Sequence, residues 1–510
     1  MNTPTTHREI ERKFRVHALF EWPDLSSLHG QVTTHPTVSM RAVYHDTTDL
    51  TLFRWNVTLR RREGGLDAGW HLKLPVESHS EGARDELHVP LNSGGIGQVP
   101  AELADIITPL VRDLPLAPVV ELRTERSPRI VSSPDGIPLV EAVDDVVTVV
   151  DLHGNAVAMF RELEIELLDN DNPVALAILD DLSRLLVQVG AIPGSMSKAA
   201  SALGPRASAP ADVPELAMPG PSGMAVDAIR STIATHVRAL IFADIAVRRN
   251  LPDSVHQVRV AARRLRSNLR TFDPLLDHEW AVGLEEELAW LADEMGMIRD
   301  SEVLEVRLLT HAKELQTDDA VLATDAIRTH LERRIETARA GAMAALRSDR
   351  HTYLIEDLVD AVRAPKILDI AYRPCEIVFP PLIEHAWKAL TKSSGHLKIH
   401  GPATEWHRAR IKAKRARYAV DVVVPIFGNQ AKKFANSLSE VTELLGEHQD
   451  AYVAQEFLRE LANSPEVDAP TGFALGLLHG VELDYEMQDR YLFADTWEKA
   501  RKSAQHSGLV

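Results

Sequence analysis

HREIERKFRV, residues 7–16, decides how the first half of the chain is read. In an extended strand residues two apart share a face, so Glu9, Glu11 and Lys13 fall on one side and Ile10, Phe14 and Val16 on the other. The same alternation returns in VTLRRRE (57–63), GWHLKLP (69–75), RDELHVP (84–90), VVELRTER (119–126), VEAVDDVVTVV (140–150) and FRELEIELL (160–168). Gly, Pro, Asp and Asn turns separate these runs, and helical patterns occur only near 100–112 and 173–190. Parity groups Arg60 with Arg62, Glu141 with Asp145, and Glu162 with Glu164 and Glu166, the last set opposite Leu163 and Ile165. An antiparallel sheet or barrel follows. A single solvated face would account for charges of this kind. Their segregation by strand points elsewhere, with carboxylates at both ends of this half and Arg41, Arg60, Arg62, Lys73, Arg84 and Arg123 between. A barrel closed with its polar face inward would have a lumen with one acidic and one basic wall.

Such a lumen has a chemical use. Several carboxylates can hold one or two hard divalent cations through oxygen, while Lys and Arg neutralise the oxygens of an oligophosphate. Phosphoryl transfer to water needs mainly positioning and charge stabilisation, so no Ser, Cys or His nucleophile is required. Glu9-Ile10-Glu11-Arg12-Lys13, taken in order with YHDTTDLTLFRWNVTLRRREGG (44–65), WHLKLP (70–75) and FRELEIEL (160–167), resembles the CYTH family of triphosphate tunnel metalloenzymes over roughly residues 5–205. The resemblance implies an antiparallel tunnel barrel with flanking helices that hydrolyses or cyclises triphosphate compounds with Mg2+ or Mn2+. It implies Glu9, Glu11, Glu162 and Glu164, then Glu166 and Asp145, as metal ligands. It implies Lys13, Arg41, Arg60, Arg62, Lys73, Arg84, Arg123 and Lys198 as phosphate ligands, with Glu9, Glu11 and Lys13 at the catalytic centre. The segment PVVELRTERSPR departs from the pattern: Glu121 and Glu125 stand where relatives are richer in Arg, leaving Arg123 and Arg126.

From about residue 223 the apolar residues recur at three and four, the period of helices. One unit is written twice, because SVHQVRVAARRLRS (254–267) returns as EWHRARIKAKRARY (405–418). His256 pairs with His407, Arg259 with Arg410, Arg263 with Lys414 and Arg266 with Arg417. Downstream, Gly296 matches Gly446 and Asp300 matches Asp450. At about 100° per residue, His256, Arg259, Arg263, Arg266 and Arg270 form one ridge, and His407, Arg410, Lys414 and Arg417 form its counterpart. Each runs beside an apolar stripe that buries the helix. Residues 256–270 hold five Arg and no acid, and 407–418 hold six basic residues and no acid. A like-charge ridge without i, i+4 partners suits an anion with many phosphates. The histidines could pack at their helix starts or donate to phosphate, and Asp300 and Asp450 could anchor Arg side chains or cap a turn. The doubled H-x-x-R-x-x-x-[RK]-R-x-R pattern resembles the CHAD family. That resemblance implies two four-helix bundles facing across a basic cavity that binds inorganic polyphosphate, with Arg264 and Arg415 joining the ridge residues as ligands. Double-stranded DNA is a poorer fit to a narrow cavity.

The expected architecture is therefore an α+β tunnel barrel at 1–205, a Pro- and Ala-rich linker at 206–222, and an all-α domain at 223–510. The last contains repeats of about 223–365 and 376–500 related by a pseudo-twofold. With 45% hydrophobic and 25% charged residues the 510-residue chain is neither disordered nor fibrous. Its net charge of −18 argues against general nucleic-acid affinity, so any polyanion site must be local. One cysteine, Cys375, permits no internal disulfide. With no signal-like start and no apolar run of membrane length, the reading is a cytoplasmic protein, in reach of polyphosphate granules. Hydrolysis of inorganic triphosphate or short polyphosphate is the favoured activity. The alternatives are a non-catalytic polyphosphate-targeting protein and an enzyme of an organic triphosphate.

Overall fold

The computed structural model describes residues 4–25, 31–76, 83–194 and 197–510. The chain divides into two units, Met1–Asp212 and Val213–Val510. The first contains strands β1 (Thr5–Val16), β2 (Gln31–Thr34), β3 (Val38–Asp46), β4 (Thr58–Glu63), β5 (Gly69–Pro75), β6 (Ala83–Pro90), β7 (Ala117–Ser132), β8 (Pro138–Val150), β9 (Ala156–Leu167) and β10 (Ile192–Gly194). Its helices are α1 (Thr51–Arg54), α2 (Ala101–Val111), α3 (Pro173–Gln188) and α4 (Lys198–Leu203). Eight strands run in the order β1-β6-β5-β4-β3-β7-β8-β9, and β9 pairs back onto β1, closing an antiparallel barrel. Strands β2 and β10 add to it on β7 and β1. Closure removes the sheet edges that a β unit must otherwise protect.

Outside the barrel, α3 covers the outward faces of β1 and β9, which are apolar except for Arg12, whose guanidinium reaches Ser183 and Asp180 of the helix. Asn172 caps this helix by accepting from Val174 N and Ala175 N, and Pro173 starts it. Its buried stripe Ala175, Ile178, Leu179, Leu182 and Leu186 packs on Phe14, Leu163, Ile165 and Leu167. Truncating one of those leucines to Ala would cost about 2–5 kcal/mol. Between β3 and β4 the buried carboxylate of Asp46 accepts from the backbone of Thr47 (2.6 Å), Leu52 (2.9 Å) and Phe53 (3.0 Å), shaping the α1 turn. The β4–β5 turn needs glycine: Gly64 has φ +82°, and a Cβ there would lie 2.4 Å from Ser39 O.

The second unit is all helical: α5 (Ala225–Arg248), α6 (Ser254–Phe272), α7 (His278–Glu294), α8 (Gly296–His311), α9 (Thr317–Leu346), α10 (Asp349–Arg363), α11 (Cys375–Ser394), α12 (Ala403–Phe427), α13 (Asn429–Ala462) and α14 (Ala469–Ser507). The repeat is visible in the helices. The uninterrupted α13 answers α7 and α8 together, α14 answers α9 and α10, and α6 packs against its counterpart α12. A core of Leu304, Leu308, Ile327, Leu331, Phe457, Leu458, Leu475 and Leu478 joins α8 and α9 to α13 and α14, and so joins the two repeats.

The stretch 206–222, expected as a semi-extended linker, is docked along most of its length. Arg206 donates to Thr48 O (3.0 Å), Ala207 is buried, and Asp212 accepts from Trp55 Nε1 and Arg112 Nη2 (both 2.7 Å). Beyond the boundary, Val213 O accepts from Arg238 (2.7 Å), Leu216 O from Ser231 (2.8 Å) and Pro221 O from Glu376 N (3.0 Å). Proline-rich backbone has few donors of its own, and its free carbonyls are taken by side chains of whichever unit it follows. No described helix is long and apolar enough to cross a membrane.

Candidate active site and polyanion-binding cluster

Strand register fixes which side chains enter the bore. Lys13 lies opposite Glu164, Glu11 opposite Glu166, Glu162 opposite Asp145, and Asp145 opposite Arg126. On the far side Tyr44 lies opposite Arg60, Arg60 opposite His71, Lys73 opposite Glu86, and Arg84 opposite Glu9. These residues form one continuous inner face. An acidic wall does run along β1, β9 and β8, and Arg60, Arg62 and Lys73 face it from β4 and β5. The walls are not pure, because Lys13 and Lys198 stand among the carboxylates and Glu86 stands among the cations.

Lys198 is the first residue of α4, which Ser197 caps by accepting from Ala200 N (3.1 Å). A lysine there opposes the helix dipole, and three carboxylates compensate it: Asp145 at 2.9 Å, Glu162 at 3.4 Å and Glu164 at 2.6 Å. Lys13 bridges Glu11 (2.9 Å) and Glu164 (3.3 Å). Lys73 binds Glu9 and lies 3.8 Å from Glu86, and Arg126 grips Asp145 with two hydrogen bonds and Glu164 with a third. Burial alone would discharge Lys13, yet Glu11, Glu164 and Glu162 hold its pKa above the usual lysine range. Asp145, Glu164 and Glu162 do the same for Lys198 against its burial. Not every acid is compensated. Burial, only partly offset by Lys73, lifts Glu9 to about 8 and Glu166 to about 7. Burial, partly offset by Lys198, lifts Glu162 to about 7.

The donor chemistry fits a hard divalent cation, since every acidic group in the bore offers oxygen alone. Among the described residues no three His, Cys, Asp or Glu side chains already converge as a metal cluster. Ammonium groups stand in the gaps that a cation would take. Glu162 Oε1 is buried with no hydrogen bond of good geometry, Lys198 standing 3.4 Å from it. The basic wall has matching vacancies in its hydrogen bonding: Nε of Arg60 and Nε of Arg62 are buried donors without acceptors. Beyond these groups the bore turns apolar. Tyr44, Val120, Leu122, Val147 and Val149 cluster with Ala199 of α4, so helix and side chains fill that end.

Two expected phosphate ligands are outside. Arg41 pairs in register with Glu63 and Arg123, one residue out of phase with the inward Ala42 and Tyr44. Arg41 and Arg123 both bind Glu121 on the outer face, at 2.7 and 2.9 Å. The Arg count of a strand did not reveal its phase. Glu121, noted as a departure, is thus the outer partner of these two arginines. Arg84 is on the inner face by register, but its guanidinium donates to Asn56 O (3.1 Å). Sequence reasoning passes over Glu86 and His71, and notes Arg126 as a basic residue of its strand without assigning it to the site. Glu86 accepts from His71 Nδ1 at 2.8 Å, and its signal was available: it shares parity with Arg84 in RDELHVP.

In the helical unit, α6 and α12 bring Arg259 and Arg263 together with Arg410 and Lys414. The two copies are anchored alike. Arg259 donates to Gly296 O (2.6 Å) and pairs with Asp300 (3.0 Å), and Arg410 lies 3.8 Å from Asp450. Both aspartates therefore anchor arginines. Among the described residues no ion pair reaches Arg263 or Lys414, and Nε of Arg263, Arg266 and Arg410 are buried without acceptors. Burial, then the charges of Arg410 and Arg263, depress Lys414 to about 8. Arg417 is partly engaged, by Thr442 (3.0 Å) and Asp421 (3.6 Å). His407 shares a hydrogen bond with Gln449 (2.7 Å), while burial and then Arg299 lower the pKa of His256. Three expected ligands leave the cluster. Arg270 pairs with Glu285 (2.5 Å) and lines a separate cavity with Arg415, and Arg264 sits near His236 and Asp421. Arg264 and Arg415 each follow a ridge residue by one position, which on a helix is a rotation of about 100°.

A CYTH domain model matches residues 7–190, and a CHAD domain model matches residues 231–459. Two proteins of Mycobacterium tuberculosis, Uncharacterized protein Rv2226 of strain H37Rv and Uncharacterized protein MT2285 of strain CDC 1551, are each 33% identical, with 94% of both chains covered. Among solved structures, PptA from Streptomyces chartreusis aligns over 54% of this chain and 100% of its own, with TM-score 0.47 and 23% identity. The CHAD domain from the plant Ricinus communis aligns over 54% of this chain and 94% of its own, with TM-score 0.44 and 24% identity. With a triphosphate tunnel barrel followed by a duplicated helical unit, each matched by its own domain model, the chain belongs to the family in which a CYTH domain precedes a CHAD domain.

Proposed function

We propose that the barrel hydrolyses inorganic triphosphate or the end of a short polyphosphate with Mg2+ or Mn2+, and that the helical unit binds longer polyphosphate. The observation that carries this reading is the pair of buried guanidinium donors, Nε of Arg60 and Nε of Arg62, left without acceptors across from a bank of carboxylates. Buried donors of this kind are worth satisfying, and phosphoryl oxygens satisfy them. Arg60, Arg62 and Lys73 would hold and orient the phosphates. Glu9, Glu11, Glu162, Glu164 and Glu166 would hold the cation, which when bound supplies charge neutralisation of the phosphoryl oxygens. Burial disfavours the ionised forms of Glu9 and Glu166, and a bound cation would draw both carboxyls into the ionised form that ligation requires. The filled apolar end supports end-on entry, with the terminal phosphates leading.

The test is phosphate release from tripolyphosphate by the purified full chain, with and without Mg2+ or Mn2+, beside the Glu9→Gln, Glu11→Gln double variant. Metal-dependent release that the double variant loses is the expected result. No release, with long polyphosphate still bound, would replace hydrolysis by a targeting role. That second reading draws on one observation, the lysines that already occupy the gaps between the bore's carboxylates.

A further inference from the structure

Helices α6, α7, α11 and α12 enclose a cavity of about 690 Å3, within the range of small-molecule sites. It is separate from the basic cluster, because around α12 Lys412 lies roughly 160° from Arg410 and Lys414, and Arg415 roughly 100° or more from both. Its rim is cationic and its walls are apolar, formed by residues such as Val282, Pro381, Leu382 and Ala386. The acids on the rim are already committed, Glu285 to Arg270 (2.5 Å) and Asp273 to His278 (2.6 Å). Lys412 and Arg415 have no ion-pair partner among the described residues.

The internal repeat supplies a control. At the offset of 151 that relates His256 to His407, the residue matching Arg415 is Arg264 and the residue matching Arg270 is Asp421. In that copy Arg264 and Asp421 are charge neighbours, and buried Tyr418 and Asn268 stand where this cavity has Ser267 and Ala419. One copy of the site is neutralised and filled with larger side chains. The other is open and keeps two uncommitted cations. An inorganic phosphate chain has no use for apolar walls, whereas an organic phosphate does.

We propose that the cavity between α6, α7, α11 and α12 binds a small organic phosphate of nucleotide size, its phosphate on Lys412 and Arg415 and its body against Leu382 and Val282. The test uses the full chain and N-methylanthraniloyl-ADP, followed by fluorescence anisotropy under saturating tripolyphosphate to occupy the bore and the basic cluster. Two variants address different halves of the site: Lys412→Ala with Arg415→Ala removes charge, and Ala386→Trp fills the apolar wall. Each should weaken probe binding about tenfold or more, with long-polyphosphate affinity and helical circular dichroism unchanged. Absence of saturable probe binding, or binding that both variants leave intact, overturns the site. Polyphosphate affinity that falls in step with the probe's overturns it as well, since the cavity would then belong to the polyphosphate surface. Phosphate release from tripolyphosphate is measured separately, so loss of the hydrolase reading and loss of this one are distinguishable.

Discussion

Lys198 in the barrel and Lys414 in the helical unit are both lysines packed inside a phosphate-suited site, and their surroundings are opposite. Lys198 has three carboxylates within 3.4 Å. Lys414 has no ion pair among the described residues, and the charges around it are Arg410, Arg263, Asp450 and Arg259. The first is held above the usual lysine pKa against the pull of burial, and the second is depressed to about 8 by burial and like charge. The difference teaches what each site needs before its ligand arrives. The bore is an ion lattice that supports itself. The cluster on α6 and α12 is held together against its own repulsion by the apolar stripes beneath it, Val258, Ala262, Leu265 and Leu269 on one helix and Trp406, Ala409, Ala413 and Val420 on the other, all buried. A bound polyanion would relieve that repulsion.

The comparison breaks most visibly under matched substitutions. Lys198→Met leaves Asp145, Glu162 and Glu164 short of a cation in a buried site, and should cost about 3–5 kcal/mol. Slowed hydrogen exchange in β8 and β9 is the property it should lose. Lys414→Met removes a cation that burial and the nearby Arg410 and Arg263 disfavour more than Asp450 favours it, so the ligand-free helical unit should unfold at higher urea, by about 1 kcal/mol, while binding polyphosphate more weakly. Equal destabilisation by both changes would mean that the two lysines are in equivalent environments.

Salt sharpens the same contrast. Polyphosphate held by Arg259, Arg263, Arg410 and Lys414 meets many charges at once, so the affinity of the full chain should fall roughly tenfold or more between low and physiological ionic strength. Replacing Arg263, Arg410 and Lys414 together by Ala should flatten that slope and raise the Michaelis constant for long chains alone. Tripolyphosphate turnover should respond less to salt, because the bore's charges are buried, where salt screens them little. An affinity indifferent to salt would remove the basic cluster as the binding surface.

How much of this was legible in the sequence depended on whether the signal was local. Alternation in REIERKF and FRELEIEL placed Glu9, Glu11, Lys13 and Glu162 to Glu166 correctly on one face, because period two is set by each strand alone. Which face of a neighbouring strand points inward is set by pairing register. Arg41 therefore falls on the outer side, Glu86 is missed although its strand is recognised, and Arg126 is noted without being placed in the bore. The 151-residue repeat revealed both basic helices, but not that Arg270 and Arg415 turn towards a different cavity. That depends on how α7 and α11 pack beside them. The docking of 206–222 was not legible for a related reason: composition reports that Pro- and Ala-rich backbone cannot build its own ladder, not that side chains such as Arg238 and Ser231 will donate to its carbonyls.

The smallest effect concerns protons. Lys414 titrates near 8 in the folded chain and near 10.4 when unfolded, so between those values the unfolded chain binds the more protons. Stability of the ligand-free helical unit should therefore rise as pH increases through that window, the reverse of a salt-bridged lysine. Polyphosphate affinity should move the other way, because a bound anion favours the ammonium form that alkali removes. A single site can change affinity by at most about tenfold per pH unit, which sets the ceiling. Lys414→Arg keeps the charge throughout the window and should abolish both slopes. The lysines of the bore give the control. Lys13 and Lys198 stay protonated across the same range, so neither contributes a matching step to turnover. Titration calorimetry of polyphosphate binding from pH 7 to pH 9, on the full chain and on Lys414→Arg, separates the outcomes. A decline in affinity that persists unchanged in the variant would assign the proton to another group and remove Lys414 from the centre of the cluster.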